Sequence, residues 1–288
     1  MWNIFNHMNG AKSILSLIRL QDQIFIIIAI LIGSFLHSFS LSDISLPLIF
    51  FIIFLSSFTF AIDDIADIKI DRLSEKTRNP IVLKQISLSF AKFLSFIFFI
   101  LASFTSFLLP FNLFYLSVFL LFISITYSFF IRAKSNPPLD LIYHGLSPAI
   151  IFVMISSLYK SFDLTIFFVS LIIFSMFMLI QLLQEIRDFS SDRKLIKTTA
   201  IILGKRNSIK LSIILLLSLL LIVLTGIIML VFPISSLLYL PLSYFLFFPL
   251  MKGLKDKRYE STLLNEFRKN LIIVTIIFFM LFLVSMFF

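Results

Sequence analysis

The 288-residue chain has no cysteine. That excludes disulfides, thiolate metal sites and a cysteine nucleophile together. Glycine and proline are scarce, at six and nine residues. Those are too few to punctuate a turn-rich fold, so a mostly helical chain is expected. Charge is thin as well: only 14% of residues are Asp, Glu, Lys or Arg, with 15 acids against 24 bases. Met1–Gly10 shows no charged start, apolar run and small-residue cleavage site, so no signal peptide is expected.

What fills the chain instead is apolar. Hydrophobic residues make up 60%, there are 39 Phe, and the mean hydropathy is +1.09. Lipid is a better solvent for such a surface than water. Nine apolar windows stand out, near residues 24–39, 46–62, 87–109, 112–131, 141–158, 162–183, 211–231, 234–251 and 270–288. Within lipid the backbone must satisfy its own polar groups, which makes these helices. The expected fold is all-α, a polytopic membrane protein of nine transmembrane helices in one domain over residues 1–288.

The bases set the expected orientation. All but Lys160 of the 24 Lys and Arg precede the first window or cluster around the connections 2–3, 4–5, 6–7 and 8–9. By the positive-inside rule these loops and the N-terminus are cytoplasmic, and an odd span count puts the C-terminus outside. The net charge of +9 then marks one membrane face and its anionic lipid headgroups rather than a nucleic-acid partner.

Two charged stretches interrupt this pattern. Residues 63–82 read DDIADIKIDRLSEKTRNPIV, and residues 184–203 read QEIRDFSSDRKLIKTTAIIL. Placed one under the other, Asp67 falls on Asp188, Asp71 on Asp192, Arg72 on Arg193, Lys76 on Lys197 and Thr77 on Thr198, and Asp64 falls on Glu185. Each follows an apolar window, the second and the sixth, so the chain reads as two four-helix pseudo-repeats plus one helix. Internal repeats with a site at their interface recur in membrane proteins.

Asp64, Asp67 and Asp71, like Glu185, Asp188 and Asp192, are spaced i, i+3 and i+7, which places each triad on one helical face. Six carboxylates together repel unless cations lie among them. With oxygen donors only and no cysteine or local histidine, Mg²⁺ is the expected ion. It binds through carboxylates together with substrate phosphates. The following Arg72, Lys76, Arg78, Arg193, Lys194 and Lys197 supply the complementary charge for phosphate. The pattern is that of a diphosphate clamp at a membrane face, with the lipid tail entering between helices. A plain solvated charge run would not repeat two acid triads followed by D-R-x-x-x-K-T. A cation transporter is the rival class, but acids along an ion path lie within the bilayer. Here they stop at one interface.

These residues resemble the UbiA superfamily of intramembrane prenyltransferases. That family has nine transmembrane helices and two aspartate-rich motifs, and it uses Mg²⁺ to transfer isoprenoid chains from allylic diphosphates. Its first motif, N-D-x-x-D-x-x-x-D, is met by D-D-I-A-D-I-K-I-D, with Asp63 where Asn is usual. The second is met by Asp188 and Asp192, with Ser190 and Ser191 replacing Glu-Gly. Residues 127–140, YSFFIRAKSNPPLD, resemble the segment between spans 4 and 5. The resemblance implies that Tyr127, Arg132 and Lys134 face the diphosphate and that Asp140 caps or orients the next helix. It also implies catalytic roles for Asp64, Asp67, Asp71, Asp188 and Asp192. Ser16–Gln23 stands where many members carry an R-P-x-N-like segment shaping the acceptor site, here with Leu20 in place of Pro.

The KTRNPI wording is similar to that of archaeal-type members of the digeranylgeranylglyceryl phosphate synthase kind. The implied partners are a prenyl diphosphate donor, membrane lipids and a glyceryl-phosphate lipid acceptor. An aromatic acid of a quinone pathway is the alternative acceptor.

Overall fold

The computed structural model describes residues 13–19, 45–73, 79–159, 161–255, 262–271 and 273–274. Among them all regular structure is helical. In chain order the helices are α1 (Leu46–Ala66), α2 (Ile68–Leu73), α3 (Leu88–Phe107), α4 (Phe111–Ser128), α5 (Leu139–Ser156), α6 (Leu164–Asp192), α7 (Thr199–Leu203), α8 (Lys205–Ile228) and α9 (Tyr239–Lys255). Short 3₁₀ turns at Ala133–Ser135 and Ile234–Leu238 precede α5 and α9.

Seven segments among the described residues are long and apolar enough to cross a membrane: α1, α3, α4, α5, α6, α8 and Ile234–Lys255. Each matches one expected window to within a few residues at most ends. The larger shifts put nine more residues on the end of α6 and six more at the start of α8. The expected window 24–39 lies outside the described residues, as does most of 270–288.

The helix starts follow from sequence. Ser45 precedes Pro47 and caps α1 by accepting from the Leu48 N–H, Ser87 caps α3 through Phe90, and Asp163 caps α6 through Ile166. Gly204, at φ 74°, turns the chain between α7 and α8 in a conformation that side chains disfavour. Hydroxyls inside the apolar helices turn back on their own carbonyls. Ser57 donates to Ile53, Thr105 to Leu101 and Ser212 to Ser208, so they cost little in lipid.

The chain forms two compact units, one of residues 1–133 with 150–162 and the other of 134–149 with 163–288. In the first, α1 packs chiefly on α3 and then on α4. Leu48, Phe51, Ile52, Leu55 and Phe58 form its buried face. The Thr59 hydroxyl donates to Ser124 Oγ at 2.9 Å, tying α1 to α4. In the second, α6 packs chiefly on α8, with α9 beside α8. Leu179, Leu182, Leu183, Leu216, Leu246, Leu250 and Phe267 build its core. The other faces of α3, α4 and α8 carry exposed Phe96, Phe104, Phe122, Ile214 and Leu221, as lipid-facing helices do.

The 121-residue spacing between Asp67 and Asp188 extends to these elements. Moved by it, α1 falls within α6, the end of α3 falls on the end of α8, and α4 falls on the 3₁₀ turn and α9.

Gly145 of α5 lies so close to α6 that an added Cβ would sit 2.6 Å from the Phe174 carbonyl oxygen and 2.9 Å from the Met178 side chain. The main chain cannot yield as a side-chain tip can. Gly145→Ala is expected to destabilise the protein by about 1–3 kcal/mol, read as a lower Tm in detergent. Gly204→Ala, where the surrounding space is open, is expected to cost a comparable ~1–3 kcal/mol, from its backbone conformation alone.

Candidate active site

In the first unit the acidic run straddles a helix break. α1 closes at Ala66, and Asp67 caps it through its N–H to the Asp63 carbonyl at 3.0 Å. α2 then carries Asp71. Asp64 and Asp71 are buried, at 4% and 8% exposure, so their charge must be met by protein groups. The Arg19 guanidinium supplies one such group, donating to Asp64 Oδ1 at 2.8 Å and lying 4.0 Å from Asp63 Oδ2. It also stacks over the Phe60 ring at 4.8 Å, which fixes its plane. Ser128, at the end of α4, donates to Asp63 Oδ1 at 3.1 Å. Arg132 Nη2 approaches Asp67 Oδ1 at 3.9 Å.

Asn79 ties the returning chain to this cluster. Its amide nitrogen donates to the Asp64 carbonyl at 2.8 Å and to Asp71 Oδ2 at 2.9 Å, and its oxygen accepts from Ile81 N–H at 3.0 Å. One buried side chain thereby holds both sides of the helix break and the start of the next loop.

In the second unit α6 runs unbroken through its acidic residues to Asp192. Asp188 takes a bidentate bond from Arg187, with both distances 2.7 Å. Ser191 donates to Asp192 Oδ1 at 3.2 Å. Glu185 is buried and accepts from Ala200 N–H at 3.1 Å and from the Gln181 amide at 3.2 Å. Asp140, at the start of α5, accepts from both the backbone N–H and the hydroxyl of Thr199, at 2.5 and 2.6 Å.

The structure therefore groups Asp64, Asp67 and Asp71 with Arg132 in one unit, and Glu185, Asp188 and Asp192 on one helix in the other. Arg72, Arg193, Lys194 and Lys197 are exposed, while Tyr127 and Lys134 are half-buried. Lys76 and Arg78 lie outside the described residues. Sequence reasoning missed Arg19, Asn79, Ser128, Gln181 and Arg187 as partners of the acids. Arg19, Asn79, Ser128 and Arg187 carried a signal, since each falls in a stretch already singled out, while Gln181 carried none.

Among the described residues no three acidic or histidine side chains converge into a cage for a metal ion. The donors at both helix ends are carboxylate oxygens all the same. That set fits Mg²⁺, which keeps several waters and is completed by substrate phosphate rather than by an all-protein shell.

Residues 26–272 match the model of the UbiA prenyltransferase family, and the chain belongs to that family. Prenyl transfer is the reaction class this membership carries. No curated protein matches the sequence.

Among solved structures, one bearing on digeranylgeranylglyceryl phosphate synthase in membranes superposes with a TM-score of 0.73 at 22% identity, over 93% of this chain and 97% of that one. A UbiA homologue from Archaeoglobus fulgidus bound to GPP and Mg²⁺ gives 0.70 at 18% identity, over 93% and 99%. The apo UbiA homologue of Aeropyrum pernix K1 gives 0.63 at 18%, over 91% and 98%. At these identities the likeness is one of fold.

Asn79→Ala strips two donors from buried oxygens and is expected to cost about 1–3 kcal/mol. Asn79→Asp sets a carboxylate against Asp71 and is expected to cost more. Thermal unfolding in detergent ranks the two, and a smaller loss for Asn79→Asp would refute the assigned bonding.

Proposed function

We propose that the protein transfers an isoprenoid chain from an allylic prenyl diphosphate to the hydroxyl of geranylgeranylglyceryl phosphate, a step of ether-lipid assembly. The observation that carries this reading is the placing of carboxylates with cationic neighbours at the ends of apolar helices in both units. The likeness to the synthase structure supports the choice of acceptor, and the A. fulgidus homologue with GPP and Mg²⁺ supports the donor class and the ion.

In this reading Asp64, Asp67, Asp71, Asp188 and Asp192 hold Mg²⁺. The ion, when bound, neutralises the leaving diphosphate. Arg72, Lys76, Arg78, Tyr127, Arg132, Lys134, Arg193, Lys194 and Lys197 bind the diphosphate oxygens. As the allylic C–O bond breaks, these cations and the Tyr127 hydroxyl meet the charge that develops on the leaving group. The acceptor oxygen forms the new bond to carbon, and its proton passes to a carboxylate of the second acidic run. The apolar helix faces keep water from the allylic carbon. The acidic runs are cytoplasmic, as the bases require, and the helices form two four-helix repeats with a ninth span.

Purified protein in liposomes, given radiolabelled geranylgeranyl diphosphate, Mg²⁺ and geranylgeranylglyceryl phosphate, should yield a doubly prenylated lipid. EDTA should abolish it, and Asp67→Asn or Asp188→Asn should each lower kcat by about 100-fold or more. Product with 4-hydroxybenzoate instead would replace the acceptor, and no transfer to either from folded protein would sink the proposal.

The cysteine-free chain also allows a sidedness test. Asn207→Cys should be shielded from an impermeant maleimide on intact cells, and Asn112→Cys should react. The reverse pattern would invert the topology.

A further inference from the structure

Glu185 aligns with Asp64 in the repeat, yet its surroundings differ. Glu185, Asp140, Thr199 and Ala200 are all buried, at 6%, 1%, 6% and 0% exposure. Both Glu185 oxygens are taken by N–H donors, Ala200 on one and Gln181 on the other. Asp140 Oδ2 takes the Thr199 N–H, and Oδ1 takes the Thr199 hydroxyl and the Leu141 N–H. Asp140 and Glu185 thus hold adjacent residues, Thr199 and Ala200, through their main-chain N–H groups. A Mg²⁺ ligand needs the opposite: a charged oxygen with a lone pair open to the ion.

The same pair closes a chain segment. Residues 193–198 carry Arg193, Lys194 and Lys197. At one end the Asp192 carbonyl accepts from Leu195 and Ile196 N–H. At the other, Asp140 and Glu185 grip Thr199 and Ala200, the first residues of α7. The position equivalent to Asp140 in the first unit, at the same 121-residue spacing, is Arg19, which meets Asp64. One unit meets its buried acid with a guanidinium, the other with a backbone N–H and a glutamine amide.

We infer that Glu185 and Asp140 are a positioning pair and not a metal site, fixing the start of α7 and with it the basic segment 193–198. The role of that segment in gripping diphosphate rests on the proposed function; the pair itself does not.

The test uses the full-length protein in detergent and in liposomes, comparing wild type with Glu185→Gln, Glu185→Ala, Thr199→Val and Asp192→Asn. The first readout, amide hydrogen exchange over residues 193–203, needs no substrate. Glu185→Gln keeps the side chain's length and an oxygen to accept the Ala200 N–H and should exchange like wild type, while Glu185→Ala and Thr199→Val should exchange about ten-fold faster or more. Should Glu185→Ala fail to fold, Thr199→Val carries the same comparison.

The second readout is prenyl transfer against Mg²⁺ and donor concentration. Glu185→Gln should keep its half-saturating Mg²⁺ within about two-fold of wild type, whereas Asp192→Asn should need about ten-fold more. Thr199→Val should raise KM for the donor more than it lowers kcat. A Mg²⁺ requirement in Glu185→Gln shifted as far as in Asp192→Asn would make Glu185 a ligand and overturn the inference. Unchanged exchange in Glu185→Ala and Thr199→Val would overturn it too. If wild type transfers nothing, the function proposed above fails, and hydrogen exchange still decides the pair.

Discussion

Carboxylates at the ends of lipid-embedded helices have to be neutralised by something within reach, and most of the local architecture around both acidic runs follows from that need. A charge at the bilayer midplane costs at least roughly 2.5–3.5 kcal/mol, so these acids stand where the helices leave the membrane. Even there Asp64, Asp71, Asp140 and Glu185 are buried. Arg19 reaches Asp64 from a segment 45 residues earlier, and Asn79 reaches back eight residues to Asp71. In the second unit the returning chain offers backbone N–H groups of Thr199 and Ala200 instead. Loops that would otherwise be slack are drawn onto the helix ends by the acids they satisfy.

The helices can serve as rigid supports because their own polar groups are settled locally. Serine and threonine hydroxyls bond back to carbonyls three or four residues earlier, and Gly145 lets α5 approach the main chain of α6. Small residues allow such close packing where lipid gives helices little hydrophobic reason to associate. The Phe-rich outer faces are left to solvate in hydrocarbon.

Asp63 illustrates how a family pattern is adapted. Where the motif it resembles has Asn, this chain has a further negative charge, and the structure places Ser128 and Arg19 against it. Asp63 therefore draws on the same guanidinium as Asp64. Family membership accounts for the acid spacing, while these neighbours account for how this chain tolerates one more acid.

The sequence by itself determined the membrane helices and the acidic motifs. Runs of apolar residues of membrane length admit only one backbone solution in lipid, and i, i+3, i+7 acids are local features of a helix. Seven expected windows accordingly have their helices, and Glu185, Asp188 and Asp192 share one unbroken helix as their spacing predicts, whereas a break at Asp67 parts Asp64 from Asp71. Which group answers each acid was decided only by tertiary structure. Arg19 with Asp64 and Asp140 with Thr199 are pairs 45 and 59 residues apart, and hydrogen bonds at that range leave no periodicity to read. The break at Asp67 and the unbroken course of α6 through Asp188 are likewise tertiary outcomes. Two stretches of similar sequence met different partners, a guanidinium and an asparagine in one unit, and a glutamine and two backbone amides in the other.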